Sequence, residues 1–430
     1  MPLPEPGDVL WQATAAPVPV RPSLDGDIVA DVAIIGGGIT GISTALHLAA
    51  RGVPVVVLEK DHIAGAASGR NAGVVAPMLG RGDPEDVVAA LGPEAGERLN
   101  QLVATSGDNM FDLAHRHNID CDAEQTGFLQ PAHAAIAVPA LARRVEQWQA
   151  RGKRVELLDR AGVAAMTGTD AFAGGLLDHS GGQINPLRFT LGLADAAGKA
   201  GARIFENTSA QSLRQTTEGW RIGTANGVVR AARVLLATNA LVGPLWPRLH
   251  RSILPLCVHQ LATRPMAPDV VARVLPGRQA ATDTSRHPFS MRFDADNRLI
   301  SGAVSTWPWG ADGRMSRLIR QRLATTLKLD HVPEEDFIWS GIAAITPDFL
   351  PRLHTLAPGL TAMIGCNGRG IALCTALGPE LADVLADKAT TPPLPDTTVK
   401  PLSPHWLKRL GPRFYMPVAN WRDARDRAGG

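Results

Sequence analysis

The chain of 430 residues contains one tyrosine, Tyr415, against nine tryptophans and ten phenylalanines. Phenol chemistry is thereby excluded from nearly its whole length. Cysteine is scarce as well: Cys121, Cys257, Cys366 and Cys374 form no C-x-x-C pair and have no histidine spacing suited to zinc. Reduced thiols are expected, with no disulfide scaffold and no metal site. Charge excess is missing, since 43 basic residues stand against 41 acidic ones, which argues against a broad nucleic-acid footprint. The start of the chain has neither a basic stretch followed by an apolar run nor a small-residue cleavage site, so a cytoplasmic location is expected. The longest uncharged stretch, residues 32–50, reaches transmembrane length but holds four glycines together with Thr40, Ser43, Thr44 and His47. Stable membrane insertion is not expected. Hydrophobic residues at 45% and charged residues at 20% describe an ordinary globular protein. At about 150 residues per domain the length suggests two or three domains.

That glycine-bearing stretch has a better reading. Residues 32–35 suit a buried parallel strand, 42–50 have helical apolar spacing, Gly52 is placed as a helix C-cap, and 55–58 form a second apolar strand. Between strand and helix, residues 36–41 spell G-x-G-x-x-G. Gly36 serves the tight turn, Gly38 the approach of a pyrophosphate, and Gly41 the packing of helix on strand. Ile39 and Thr40 of this turn are also expected to contact the cofactor, and the N-terminus of the helix that follows offers N–H groups and a positive dipole end to phosphate. Glu59, with Lys60 beside it, closes the second strand, where a carboxylate accepts from ribose hydroxyls. The chain is thus read as α/β with a Rossmann-type dinucleotide site.

The fingerprint alone leaves NAD open; three more segments point to a flavin. Residues 65–73, with Ala67, Ser68, Arg70, Asn71, Ala72 and Gly73, form a loop of small residues and polar donors. An apolar strand from 234 ends in the polar turn Thr238 and Asn239. Residues 365–370 form a second glycine turn, with Gly365, Gly368, Arg369 and Gly370, leading into Ile371, Cys374, Leu377 and Leu381 at helical spacing. Such a helix N-terminus suits the negative charge of a reduced flavin.

With Trp11 and its neighbours before the fingerprint, residues 67–71 after it, and Trp339, Gly341, Thr346, Asp348 and Pro351 ahead of the last glycine turn, the chain resembles a known family. These are the FAD-dependent oxidoreductases that include D-amino-acid oxidase, glycine oxidase and sarcosine oxidase, and the γ-glutamylputrescine oxidase-like branch is most similar, over residues of about 8–390. The resemblance implies an FAD-binding domain assembled from 1–105, 183–258 and 339–390. An α+β substrate domain on a mixed sheet, 106–182 and 259–338, is interleaved with it. Residues 391–430, rich in proline, read as an extended tail over the surface, in preference to a tail that touches a membrane through its basic and aromatic residues.

The resemblance also implies oxidation of a primary or secondary amine, namely an amino acid, an N-substituted amino acid or a polyamine derivative, by hydride transfer to flavin N5, leaving an imine that hydrolyses. Alternatives are a 2-hydroxy-acid dehydrogenase and a non-catalytic flavin-binding subunit. FAD is expected to be non-covalent, because relatives with a covalent flavin carry a cysteine where this chain has Ala343 and Ala344, or a histidine near Ser68, where it has none. No second G-x-G-x-x-G occurs, so the substrate itself must reduce the flavin. Arg292 matches the arginine that holds a substrate carboxylate, whereas the second arginine would fall near Ile345 and Thr346 and the tyrosine has no counterpart. A longer or N-substituted amine is therefore expected over a simple α-amino acid. Ile300 stands where sarcosine oxidases carry an oxygen-activating lysine, leaving oxygen or another electron acceptor open. His259 and His287 are candidate acid–base groups, and Arg369 a candidate for stabilising reduced flavin or gripping an anion. Only a tail folded back over the pocket would let Tyr415 restore the missing hydroxyl. Substrate identity and oligomeric state are not legible.

Overall fold

The computed structural model describes residues 9–15, 20–388 and 391–429. Its first sheet is built on the apolar strands of the fingerprint. Ile28–Ile35 lies between Val228–Leu236 and Val55–Leu58, all parallel, with Arg203–Phe205 beyond Val55–Leu58 on one side. Leu360–Ile364 extends it parallel on the other side and Arg352–Ala357 adds an antiparallel edge. Every residue of Val55–Leu58 is buried, as a strand covered on both faces must be. Helices Ile39–Ala50 and Gly370–Leu385 pack together on one face. The first helix starts at Ile39, three residues before its apolar spacing begins, because the glycine turn itself supplies the first residues of the helix.

The second sheet has eight strands, in the order Glu335–Ile345, Leu254–Pro265, Arg298–Ser305, Ser290–Phe293, Ala280–Thr282, Phe128–Pro131, Gly175–Asp178, Val155–Leu158. It is mixed: Ala280–Thr282 and Phe128–Pro131 run parallel while the other pairs are antiparallel. One face packs Leu261, Met291, Phe293 and Leu299 against Ile319 and Leu323 of the helix Ala311–Thr326. The opposite face looks toward the first sheet.

Two expectations are corrected here. Leu254–Pro265 and Glu335–Ile345 belong wholly to the second sheet, so the expected changes of domain at 258/259 and 338/339 fall inside strands. The helix Pro93–Arg116 likewise runs through 105/106 without a break. Residues 391–430 are not simply an extended tail, because the last 18-residue helix, Gly411–Ala428, packs back on the protein. Proline is the reason for the difference. Pro404 is the N-cap of the short helix His405–Lys408, and Pro412 sits in the first turn of the last helix, where a missing N–H costs nothing. Among the described residues no helix is long and apolar enough to cross a membrane.

Candidate functional site

A cavity of about 1200 Å³ begins at the C-terminal ends of the parallel strands, at Ile35, Leu58 and Ala237, and continues across the facing side of the second sheet. Ligands of open α/β sheets bind at such strand ends. Its nucleotide end is shaped by the fingerprint. Gly36 has φ +116°, and a Cβ there would lie 2.8 Å from Ala237 O; a Cβ on Gly41 would lie 2.1 Å from Gly36 O, so the helix can approach the turn only with glycine there. Glu59 accepts from Gly37 N–H at 2.7 Å and Asp61 N–H at 3.0 Å. Burial raises its pKa above the usual carboxylate range, and those two N–H groups pull the other way. Ser68 Oγ accepts from Ile39 N–H at 3.0 Å, which ties the 67–73 loop to the helix N-terminus.

Gly36, Gly38, Ile39, Thr40, Glu59, Lys60, Ala67, Ser68, Arg70, Asn71, Ala72, Thr238, Asn239, Gly368, Arg369, Gly370 and Ile371 all line this cavity. Gly41, Gly73 and Gly365, also expected to touch the cofactor, do not line it. Gly73 packs against Ile184 O and Gly365 against Thr346, so they shape the wall from behind. The second glycine turn is held by Asn239, which accepts from Gly365 N–H at 3.0 Å, and by Asn367, which accepts from Thr346 N–H at 2.8 Å. Buried Thr238 Oγ1 and Gln260 Oε1 line the cavity without a protein partner. Buried polar atoms left open in this way call for a bound group to complete them. The close glycine turn, the carboxylate at the strand end and these open atoms fit FAD.

The substrate-facing residues differ from the expected ones. On Leu254–Pro265 the cavity is lined by Leu254, Leu256, Val258 and Gln260. Side chains alternate along a strand, so His259 points to the other face, fully buried, with Nε2 2.9 Å from Asp312 Oδ1. Burial lowers its pKa, and the carboxylate of Asp312 opposes that shift. It is not an acid–base group of the cavity. Arg292 is also absent from the lining: its guanidinium donates from Nη1 to Ile184 O at 3.1 Å and lies 5.2 Å from the Trp11 ring centroid. Burial lowers its pKa to about 10. The role of carboxylate clamp does not fit a side chain enclosed in this way. Ile300 is buried on its strand and does not reach the cavity either.

His287 is structural. Its Nε2 accepts from Val304 N–H at 3.1 Å, so Nδ1 carries the proton and donates to Asn420 Oδ1 at 2.9 Å. Asn420 stands on the last helix, which Arg286 also holds through Asp423 at 2.9 Å and Asp426 at 2.6 Å. Docked in this way, the helix brings Pro412, Tyr415 and Met416 into the cavity wall. The one phenol of the chain thus does return to the pocket, where Tyr415 OH accepts from Arg81 Nη2 at 3.4 Å. Arg369 stacks 4.9 Å from the Phe128 ring centroid, and burial lowers its pKa to about 10, which leaves it cationic at neutral pH. Among the described residues Arg81, Arg369 and Lys408 line the cavity with no carboxylate partner. Sequence reasoning missed Arg81, Gln260 and the last helix. The alternation of residues 254–260 carried the signal for Gln260; nothing local marked the other two.

Residues 31–384 match the family described as FAD dependent oxidoreductase. Gamma-glutamylputrescine oxidoreductase of Escherichia coli (strain K12) is 31% identical over 369 residues, covering 85% of this chain and 86% of that protein. Glycine oxidase of Geobacillus kaustophilus (strain HTA426) is 28% identical over 371 residues, covering 84% and 94%. The crystal structure of glycine oxidase from Geobacillus kaustophilus superposes with a TM-score of 0.72 at 25% identity, covering 85% of this chain and 96% of that one. The chain belongs to the FAD dependent oxidoreductase family.

Proposed function

We propose that the protein oxidises a primary or secondary amine that also carries an acidic group, giving an imine that water hydrolyses. The observation that carries this reading is the charge of the cavity. Its carboxylates, Glu59 and Asp61, stand at the nucleotide end, while Arg81, Arg369 and Lys408 stand elsewhere on the wall without acidic partners among the described residues. A guanidinium suits a planar anion, whereas a polyamine would bring further positive charge to these cations. Relatives named gamma-glutamylputrescine oxidoreductase and glycine oxidase support an amine as the reacting group.

When bound, FAD supplies the two-electron acceptor for the hydride that leaves the carbon beside nitrogen. The chain's task is then to hold that carbon in place. Gln260 and Ser290 face the cavity from the second sheet, and Tyr415 and Met416 close it from the last helix. No histidine lines the cavity among the described residues. An amine that arrives unprotonated needs no base, while a 2-hydroxy acid needs one for its hydroxyl proton, which favours the amine. FAD is held without a covalent bond in this proposal, since Ala343 and Ala344 stand where covalent relatives carry a cysteine and no histidine stands near Ser68.

The test is an anaerobic screen of the yellow holoprotein for flavin bleaching by amines with a distal carboxylate, by polyamines and by 2-hydroxy acids. Acidic amines should bleach it fastest. Bleaching by hydroxy acids alone, or by no small molecule, would overturn the proposal. Re-admitting air then separates oxygen from another electron acceptor.

A further inference from the structure

We infer that the last helix and the turn beside it dock the protein on an anionic lipid surface. Large apolar side chains are exposed in unusual density in this region: Trp307, Trp309, Trp406, Phe414, Val418 and Trp421. Phe414 is 72% exposed and Trp309 74%. Phe414, Val418 and Trp421 follow i, i+4, i+7 spacing and so form one stripe along Gly411–Ala428, while Ala419 and Asp423 lie buried on the inward side. The Trp307 turn adjoins the stripe, because Arg413 donates from Nε to Thr306 O at 3.0 Å and its guanidinium lies 4.7 Å from the Trp307 ring centroid.

The charge around the stripe has one sign. Residues 405–428 include Arg409, Arg413, Arg422 and Arg425, besides Lys408 on the cavity wall and Arg427 bonded to Ser285 Oγ, against only Asp423 and Asp426. Both carboxylates turn inward to Arg286. An apolar stripe with tryptophan and phenylalanine, bordered by arginine and lysine, is the pattern of a helix lying in a membrane interface. A second copy of the chain fits less well, since two such faces would set cations against cations. The same helix walls the cavity with Tyr415 and Met416, so docking brings the substrate site close to the lipid surface. Nothing spans the bilayer in this arrangement.

The experiment is flotation of the full-length flavoprotein with phosphatidylcholine vesicles, with and without phosphatidylglycerol. Binding should require phosphatidylglycerol and weaken at high salt. Arg422→Ala or Arg425→Ala should weaken it about fivefold each, and Phe414→Ser combined with Trp421→Ser at least tenfold. These side chains are exposed, so flavin absorbance and thermal unfolding should stay as in the parent protein, which controls for folding. Failure of the parent protein to bind phosphatidylglycerol vesicles would overturn the inference, as would binding that survives loss of Phe414 and Trp421. A concentration-dependent dimer abolished by the same substitutions, without vesicle binding, would also overturn it and make this face a contact between copies.

Discussion

Trp11 and Trp339 meet edge to face, with ring centroids 6.1 Å apart and planes at 76°, and their indole N–H groups donate to adjacent carbonyls of one loop. Trp11 donates to Asn71 O at 2.8 Å and Trp339 to Arg70 O at 2.9 Å. Segments more than 300 residues apart in the sequence thus fasten the 67–73 loop that lines the nucleotide end of the cavity. Trp339→Phe keeps most of the ring and removes the donor, leaving a buried carbonyl unsatisfied at a cost of about 1–3 kcal/mol. Trp11→Ala should cost about 3–5 kcal/mol. Both should also speed flavin release, read by fluorescence of free flavin on heating, with Trp11→Ala releasing it at the lower temperature.

Gly41→Ala should reduce flavin affinity about five- to 150-fold, the range that about 1–3 kcal/mol of overpacking produces. The added methyl would meet Gly36 O and push the helix N-terminus away from the turn. Gly198→Ala, at a helical position with nothing within 4 Å, is the control and should leave flavin content unchanged. Flavin-to-protein absorbance ratios after gel filtration decide between them.

Arg369→Gln should raise KM for an acidic amine about ten- to hundredfold, as expected for losing a hydrogen bond to a charged group worth roughly 1.5–3 kcal/mol, with a smaller change in kcat. His259→Asn should leave kcat/KM near that of the parent protein and show its effect in thermal stability, because His259 faces Asp312 and not the cavity. Steady-state kinetics of the two variants on one substrate separates the roles. A large kcat loss in His259→Asn with unchanged stability would contradict the geometry.

The contrast between His259 and Gln260 shows what was legible in the sequence. Glycine turns, apolar strands and the acid after the second strand are local patterns, each set by backbone geometry that only certain residues permit, so the nucleotide end can be read from the residues alone. The substrate end is assembled from strand parity, from residues distant in sequence and from a helix whose docking rests on Arg286 and His287. A residue type suited to chemistry, such as His259 or Arg292, says nothing about which face of a strand it occupies. Proline density in the last forty residues likewise concealed a helix, since proline in a first helical turn and proline in an extended tail look alike in composition.

Acidification should loosen the last helix before it unfolds the protein. His287 is buried, its pKa is lowered chiefly by that burial, with Arg322 adding to the shift and Asn420, Asp283 and Asp423 opposing it, and its Nε2 accepts from Val304 N–H. The folded protein therefore binds a proton there less readily than the unfolded chain does. The stability this group contributes is complete above the ordinary histidine pKa of about 6.5 and declines as the pH falls below it. Protonation at Nε2 would set two donors, the imidazolium and Val304 N–H, against each other. Hydrogen-exchange protection factors in residues 411–428, corrected for the intrinsic slowing of exchange at lower pH, should fall between pH 7 and 5, earlier than those of the strands of the first sheet. His287→Gln, which retains one donor and one acceptor but does not titrate in this range, should flatten that pH dependence. Unchanged protection of residues 411–428 down to pH 5 would show that Arg286 with Asp423 and Asp426 holds the helix without help from His287.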